Sequence, residues 1–293
     1  MHLTGRGQRV EGRGVLHLPS TLYPLPVAKQ IKNMSETLQV TKEGHVAILR
    51  LNRPKVFNSF DKEMGKALID ALDDCAIDEN VRAILLTGTG KAFCAGQDLG
   101  EVTNPEVHPG FQALLEQRYK PIMLRLRNIE KPIVCAVNGV AAGAGANIAL
   151  GCDIVIAAES AKFIQAFSAI GLIPDSAGTF TLPRLIGFQK ASALMMLGDK
   201  IGAKDAEAMG MIYKAAPDDE FEATAQKIVT RLSNMPTKGL ALTKRALNAS
   251  FENTFEEQLD LETLLQVQAS ETQDYHEGVQ AFVEKRKPKF IGK

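Results

Sequence analysis

Residues 134–163 read VCAVNGVAAGAGANIALGCDIVIAAESAKF, and this segment is the most informative about the fold class. It contains two strand-like runs, IVCAV at residues 133–137 and DIVIA at residues 153–157, which enclose a segment of mostly Ala and Gly. Short apolar runs beside very small residues are typical of buried strands that pass into closely packed loops and helices. The stretch therefore predicts an α/β domain.

The same alternation continues toward the N-terminus. Residues 46–51 (VAILRL) and 83–87 (AILLT) favour strands, whereas residues 61–75 and 112–128 have the apolar periodicity of helices. Strands that alternate with helices indicate an α/β layer architecture and not a β-sandwich.

Beyond about residue 188 the sequence becomes mostly helical. The apolar periodicity predicts helices at residues 189–198, 203–209, 219–234, 237–250, 254–270 and 273–286. Only MIYKAA, at residues 211–216, favours an extended interruption. We therefore expect an α/β core followed by a helical C-terminal part.

The first 33 residues differ from the rest of the chain. They contain five basic residues and one acidic residue, Glu11, with scattered Gly and Pro and no sustained periodicity. This composition predicts a flexible extension or an upstream translation artefact before Met34. Because the segment contains Arg and is poor in acidic residues, a mitochondrial transit peptide is the alternative. The predicted division is an extension at 1–34, a core at 35–230 and a helical region at 231–293.

Composition excludes several classes of function. The chain has 34 Lys and Arg and 34 Asp and Glu, so its formal net charge is zero and it has no overall field to attract nucleic acid or an anionic membrane. No apolar run approaches the roughly 18 residues of a membrane span. The four cysteines form no C-x-x-C pair, which argues against a zinc module and a disulfide framework. We expect a cytoplasmic protein without metal, nucleic acid or membrane partners.

Two loops of small residues follow predicted strands, at residues 93–98 and 142–146. Neither is a phosphate loop, because Leu85 stands where a P-loop needs Gly and GVAAGAG at residues 139–145 does not spell G-x-G-x-x-G. Backbone N–H groups in such loops can approach a ligand closely, and two that converge on one oxygen would form an oxyanion hole. The alternative is that the small residues only let a helix pack close to the sheet.

With LNRPKVFNSF (51–60), LLTGTGKAFCAGQDL (85–99) and GLIPDSAGTFTLPRLIG (171–187), the stretch 134–163 resembles the enoyl-CoA hydratase/isomerase (crotonase) superfamily. The resemblance runs from about Leu38 to the C-terminus. It implies a spiral core of repeated ββα turns and a C-terminal helical region that builds a homotrimer or hexamer. It also implies a coenzyme A thioester as substrate, with no separate cofactor.

The resemblance implies specific site residues. The thioester oxygen is expected to accept hydrogen bonds from the N–H groups of Ala95 and Ala144. The residues expected to contact substrate or CoA are Lys55, Val56, Ser59, Ala95, Gln97, Asp98, Phe167, Phe282 and Lys285. For Lys285 the alternatives are a solvated helix face and a basic nucleic-acid patch, KRKPK.

The acid and base positions separate hydratases from isomerases. Hydratases of the superfamily carry two glutamates at positions that here hold Asn147 and Phe167, and neither an amide nor a phenyl ring exchanges protons near neutral pH. Asp175, in LIPDSAGT, is the remaining carboxylate. One carboxylate can remove a proton and return it to another carbon, so isomerisation is expected. The alternative for Asp175 is an N-cap of the helix that follows.

Within the superfamily, NGVAAGAGA, GLIPDSAGT and the C-terminal YHEGVQAFVEKRKPKFIGK are most similar to the ring-epoxide isomerases of aerobic phenylacetate degradation. This similarity implies conversion of 2-(1,2-epoxy-1,2-dihydrophenyl)acetyl-CoA into the oxepin thioester. A second implied activity moves the double bond of 3,4-dehydroadipyl-CoA to the 2,3 position. Ala177 departs from the pattern, since Gly is usual there.

Other functions remain open at this point. They are a generic Δ3,Δ2-enoyl-CoA isomerase, an enoyl-CoA hydratase-like protein, a 4-chlorobenzoyl-CoA dehalogenase and a CoA-binding scaffold without turnover. The dehalogenase would use Asp175 as a nucleophile, but it also needs a histidine base upstream of the second oxyanion donor. No histidine lies between His108 and His276, which disfavours this alternative.

Overall fold

The computed structural model describes residues 35–293, so the predicted extension at 1–34 lies outside the described residues. Two β-sheets form the framework. In this part of the chain the strands are β1 (Leu38–Glu43), β2 (Val46–Leu51), β3 (Ala83–Gly88), β4 (Ala92–Cys94), β5 (Ile133–Val137), β6 (Val140–Ala142), β7 (Ile154–Ala158), β8 (Lys162–Ile164), β9 (Lys200–Gly202) and β10 (Lys214–Ala216).

Helices cover the sheets and form most of the C-terminal part. They are α1 (Lys62–Ile77), α2 (Leu99–Thr103), α3 (Phe111–Leu114), α4 (Lys120–Asn128), α5 (Ala144–Leu150), α6 (Gly178–Ile186), α7 (Phe188–Leu197), α8 (Ala203–Ala208), α9 (Phe221–Ser233), α10 (Thr237–Ala249), α11 (Phe255–Ser270) and α12 (Gln273–Val283). None of the helices in residues 35–293 has the length and hydropathy to cross a bilayer.

The larger sheet has the strand order β1-β2-β3-β5-β7-β10, and the smaller one has the order β4-β6-β8-β9. Every pair in the larger sheet is parallel except β1 with β2, and every pair in the smaller one except β8 with β9. The chain passes from a strand of the larger sheet to one of the smaller sheet and then to a helix, as in β5-β6-α5 and β7-β8-α6. The expected α/β core of repeated ββα turns is therefore confirmed.

Burial explains why the central strands could be recognised from sequence. All six residues of β3 and all five of β5 are buried, as expected for parallel strands covered on both faces. Helix α1 begins where the side chain of Asp61 accepts a hydrogen bond from the Met64 N–H, which caps the helix. The apolar runs of β3 and β5 and the cap of α1 are thus local sequence features of the framework that carries the loops of the smaller sheet.

Three sequence expectations need correction. Residues 112–128 do not form one helix, because a π-helical turn at Leu115–Tyr119 separates α3 from α4. The extended interruption predicted at 211–216 is a strand only at Lys214–Ala216, and α12 ends at Val283 and not at residue 286.

The predicted boundary between core and C-terminal region falls inside a helix. Residue 230 belongs to α9, whose Ala225 and Val229 are part of the hydrophobic core. A boundary after residue 230 would cut this helix, so the division into 35–230 and 231–293 stays a prediction.

Candidate active site

Two loops of small residues meet at the carboxyl ends of two neighbouring strands of the smaller sheet. One follows β4 and the other follows β6, and these strands are parallel neighbours, so their carboxyl ends lie together. Gly96 has φ +92°, and a Cβ there would lie 2.9 Å from the carbonyl oxygen of Ala142 and 3.5 Å from the nitrogen of Ala144. Only glycine allows the loops to approach this closely.

Cys94 contacts both loops. A Cβ on Gly145 would lie 2.4 Å from the Cys94 carbonyl oxygen, and the Gly96 N–H donates to Cys94 Sγ at 3.3 Å. Burial raises the pKa of the Cys94 thiol to about 12, so it stays protonated and serves as packing. Close packing is therefore one reason for the small residues.

The structure corrects one of the two expected oxyanion donors. The N–H of Ala95 donates to the carbonyl oxygen of Phe57 at 2.9 Å, so this amide is already used and does not offer a free hydrogen to a ligand. The N–H of Ala144 is different. It belongs to the first residue of α5, where no intrahelical acceptor exists, and no hydrogen bond within residues 35–293 uses it.

Gln97 supplies a second free amide on the first loop. It pairs with Phe60 as a parallel β-bridge, in which the Phe60 N–H donates to the Gly96 oxygen at 2.7 Å and the Asp98 N–H donates to the Phe60 oxygen at 2.9 Å. In such a bridge the N–H of the middle residue points away from its partner. Among the described residues the Gln97 N–H has no acceptor. From the sequence, Gln97 was expected only to contact CoA, and its free backbone N–H was not predicted.

Asp175 lies on a strained loop before α6. Its carboxylate is half-buried and accepts a hydrogen bond from Ser176 Oγ at 2.8 Å. Ser176 and Ala177 have φ +49° and +57°, which is a left-handed conformation that costs energy for residues other than Gly. The N-cap of α6 is Ala177, without a side-chain cap, so the N-cap alternative for Asp175 is wrong.

Burial shapes the electrostatics of this carboxyl. It raises the pKa of Asp175 above its usual range, and the hydrogen bond from Ser176 opposes the rise. The pKa of Tyr119 is also raised, chiefly by burial and in part by the charges of neighbouring groups that include Asp175.

The positions of the two hydratase glutamates are occupied by groups that do not transfer protons. Asn147 is buried, and its Nδ2 donates to the carbonyl oxygen of Asp175 at 2.8 Å. Gln165 Nε2 donates to Asn147 Oδ1, also at 2.8 Å. The buried ring of Phe167 lies 3.8 Å from where a Cβ of Gly143 would be, beside the amide of Ala144. The second loop is thus lined by an amide pair and an apolar wall.

The residues expected to bind CoA differ in their exposure. Lys55 and Val56 are exposed in the 3-10 turn Pro54–Val56, whereas Ser59 is buried. Asp98 forms a salt bridge with Arg53 at 2.8 Å at the end of the first loop.

Phe282 and Lys285 lie near the end of the chain. Both are exposed on and after α12, a helix that packs on α11. Their part in CoA binding stays a prediction. No group of three or more His, Cys, Asp or Glu side chains in residues 35–293 is arranged to hold a metal ion.

Comparison with known proteins gives the family. The enoyl-CoA hydratase/isomerase family model matches residues 41–293. The chain is 47% identical over 264 residues to 1,2-epoxyphenylacetyl-CoA isomerase of Escherichia coli K12, covering 89% of this chain and 100% of the relative. It is 36% identical to trans-2-decenoyl-[acyl-carrier-protein] isomerase of Streptococcus mutans, covering 86% and 96% of the two chains.

A solved structure agrees with these relatives. The crystal structure of an enoyl-CoA hydratase from Polaromonas sp. JS666 superposes with a TM-score of 0.80 at 33% identity, covering 86% of this chain and 99% of that one. Sequence and fold lead to the same result. The chain belongs to the enoyl-CoA hydratase/isomerase family and has the crotonase fold.

Proposed function

We propose that this protein is an acyl-CoA isomerase that holds a thioester enolate on the N–H groups of Gln97 and Ala144 and moves a proton with Asp175. One observation carries the proposal. Asp175 has a half-buried carboxylate and its backbone accepts a hydrogen bond from the amide of Asn147, while the two hydratase positions hold that amide and the ring of Phe167. The site thus has one group that can exchange protons where a hydratase has two.

The two amides supply the electrostatic part of the mechanism. When a base removes the proton from the carbon next to a thioester, negative charge develops on the carbonyl oxygen. Backbone donors that already point at this oxygen stabilise the charge without reorganisation, and one such donor contributes about 3 to 4 kcal/mol. The contact between Gly96 and Ala144 brings the loops that carry both donors together.

Asp175 supplies the proton transfer. In a 3,4-enoyl thioester its carboxylate removes a proton from C2, and the electrons of that C–H bond form a dienolate with its charge on the thioester oxygen. The protonated carboxyl then gives the same proton to C4, so the double bond moves to the 2,3 position. A carboxyl whose pKa is raised by burial accepts a proton more readily, which suits this task.

The substrate class follows from the apolar wall and from the relatives. Phe167 places an apolar ring beside Gly143, next to the second oxyanion donor, and we propose that it contacts the ring of the substrate. The E. coli relative is named for the ring epoxide of phenylacetyl-CoA. We therefore assign 2-(1,2-epoxy-1,2-dihydrophenyl)acetyl-CoA to oxepin-CoA as the main reaction, in phenylacetate degradation, and the shift of 3,4-dehydroadipyl-CoA to the 2,3 isomer as the second.

The direct experiment offers both substrates to the purified protein. The ring-epoxide thioester and a 3,4-enoyl thioester are incubated side by side, with chromatography and mass spectrometry for the oxepin and ultraviolet absorbance for the conjugated product. Conversion of both supports the assignment. Conversion of the enoyl thioester alone would leave a generic Δ3,Δ2-enoyl-CoA isomerase, and CoA binding without conversion of either would leave a scaffold.

We also propose that the C-terminal helices build a homotrimer or a hexamer. Large apolar side chains are exposed on α11 and α12, among them Phe255, Phe282 and Val283, with 81%, 86% and 70% of their surface accessible. Apolar surface of this kind marks protein interfaces. Light scattering of the purified protein distinguishes the two assemblies from a monomer, which would contradict the proposal.

A further inference from the structure

The side chain of Gln97 is held by a complete set of hydrogen bonds. Its Oε1 accepts from Tyr119 Oη at 2.8 Å and from Arg118 Nη1 at 3.0 Å. Its Nε2 donates to Glu101 Oε2 at 2.9 Å and to the Asp98 carbonyl oxygen at 3.1 Å. A glutamine amide has two acceptor sites and two donor hydrogens, so every one of them is used.

The partners of this amide are fixed in turn. Arg118 and Glu101 form a buried two-bond ion pair, with N–O distances of 2.7 and 2.8 Å. Gly65 makes room for Arg118, since a Cβ there would lie 2.7 Å from Arg118 Cγ. Burial would raise the pKa of Glu101, but hydrogen bonds from Arg118 and Gln97 outweigh it and hold the pKa below its usual value. The pair therefore stays charged in mild acid.

Tyr119 is the most enclosed member of this group. Only 1% of its surface is accessible, and its ring meets the ring of Phe60 edge-on with 6.1 Å between centroids. Because burial raises its pKa well above the usual value, the hydroxyl keeps its hydrogen and remains a donor to Gln97.

The backbone of Gln97 needs such support because a glycine precedes it. Gly96 is required for the close approach of the two loops, and because glycine restricts the backbone less than other residues do, the orientation of the peptide between residues 96 and 97 depends on its contacts. The bridge to Phe60 holds one side of the Gln97 backbone. The hydrogen bonds of its side chain hold the same residue through a second set of contacts.

Resting on the proposed function, we propose that Tyr119 and the side chain of Gln97 are positioning residues that aim the backbone N–H of Gln97 at the thioester oxygen. The side chain of Gln97 then acts through its own peptide group and does not touch the substrate. Its hydrogen bonds are engaged within the protein, so it contributes orientation and no proton transfer.

Tyr119→Phe is the cleanest variant, because it removes one hydroxyl and keeps the packed ring. We expect kcat to fall about 10-fold while KM changes little, since removing a whole oxyanion donor costs about 100-fold or more. Gln97→Met, which keeps the length of the side chain and loses all its hydrogen bonds, should have a larger effect in the same direction. Tyr213→Phe, at an exposed tyrosine, is the matched control and should leave kcat unchanged.

A binding measurement separates positioning from a merely structural role. The probes are phenylacetyl-CoA and its thioether counterpart, which lacks the carbonyl oxygen. In the wild-type protein the thioester should bind more tightly, and its carbonyl stretching band should shift to lower frequency than in water. In Tyr119→Phe we expect the affinity ratio to shrink and the band to return toward its position in water.

The outcomes distinguish a failure of this inference from a failure of the proposed function. An unchanged affinity ratio and carbonyl band in both variants, even with a lower melting temperature, would overturn the inference. A wild-type protein that does not shift the carbonyl band would overturn it too. A wild-type protein that shifts the band but converts neither substrate would refute the proposed function and leave the positioning role standing.

Discussion

The side-chain amide of Asn147 donates a hydrogen bond to the backbone carbonyl oxygen of Asp175, with 2.8 Å between the two atoms. A position that holds a glutamate in the hydratases thus serves here to fix the loop that carries the remaining carboxylate. Gly178 allows this contact, since a Cβ there would lie 2.3 Å from Asn147 Nδ2. The residue at a hydratase glutamate position, Asn147, thus helps to place the carboxylate of Asp175.

Asn147→Asp should disrupt this arrangement without changing the size of the side chain. The donor becomes a carboxylate oxygen that faces the carbonyl oxygen of Asp175, so both a hydrogen bond and the loop position are lost. We expect about 1 to 3 kcal/mol less free energy of unfolding and at least about 10-fold lower kcat. Denaturant unfolding and isomerase assays measure the two effects.

Asn234→Asp is the matched control for that change. Asn234 is exposed and its Nδ2 donates to the Thr230 carbonyl oxygen at 2.8 Å, the same type of bond away from the site. Its loss should cost less than about 0.5 kcal/mol and leave kcat unaltered. If Asn147→Asp behaves like this control, Asn147 does not hold the Asp175 loop.

Ser176→Ala should move the pH profile of isomerisation. Burial raises the pKa of Asp175 and the Ser176 hydroxyl opposes the rise, so removing the hydroxyl raises the pKa further. Since the carboxylate form removes the proton, the acidic limb of kcat/KM should move to higher pH. Ser250→Ala, at an exposed serine, is the control and should leave the acidic limb of kcat/KM in place. If Ser176→Ala also left this limb in place, another group would be the base.

The sign of the same pKa also governs stability. A carboxyl whose pKa is higher in the folded than in the unfolded state binds its proton more tightly when folded. Ionisation of Asp175 therefore destabilises the fold as pH rises through its unfolded pKa, and the cost is complete above its folded pKa. The folded protein is therefore less stable when Asp175 is ionised, which is the form that accepts a proton.

Ala177→Gly should stabilise the protein. Ala177 has φ +57°, a conformation that costs about 1 to 2 kcal/mol for alanine, while glycine adds about 0.4 to 1 kcal/mol of unfolded-state entropy. We expect a net gain of about 0.5 kcal/mol in denaturant unfolding at fixed protein concentration. Ala223→Gly, at an exposed position inside α9, should instead lose about 1 kcal/mol. Equal losses in both variants would show that the Ala177 conformation is not strained.

The framework could be predicted from sequence because its signals are local and repeated. The strands at 46–51 and 83–87 are apolar runs of five or six residues, and α1 has both an apolar period and a capping Asp61. The smaller sheet was missed since its strands have only three residues each, too few to show a period. These strands are defined by their hydrogen bonds to neighbouring strands.

The candidate site was predictable only in part for a similar reason. Its loops and Asp175 stand out as small residues and a carboxylate at motif positions. The choice between Ala95 and Gln97 depends on which way each N–H points, and that is set by hydrogen bonds to Phe57 and Phe60 from a distant part of the chain. No spacing in the sequence records those bonds. Tyr119 was missed because its hydroxyl contacts Gln97, 22 positions away in the sequence, and no periodicity indicates such a contact.

The role of Asp175 is tested by comparing the wild-type protein with Asp175→Asn on a 3,4-enoyl-CoA thioester, with the ultraviolet absorbance of the conjugated product as the signal. The amide keeps the shape of the side chain and cannot accept the proton, so we predict a rate lower by about 100-fold or more, with CoA thioester affinity and unfolding midpoint near wild type. A folded Asp175→Asn protein that moves the double bond at the wild-type rate would contradict the role of Asp175.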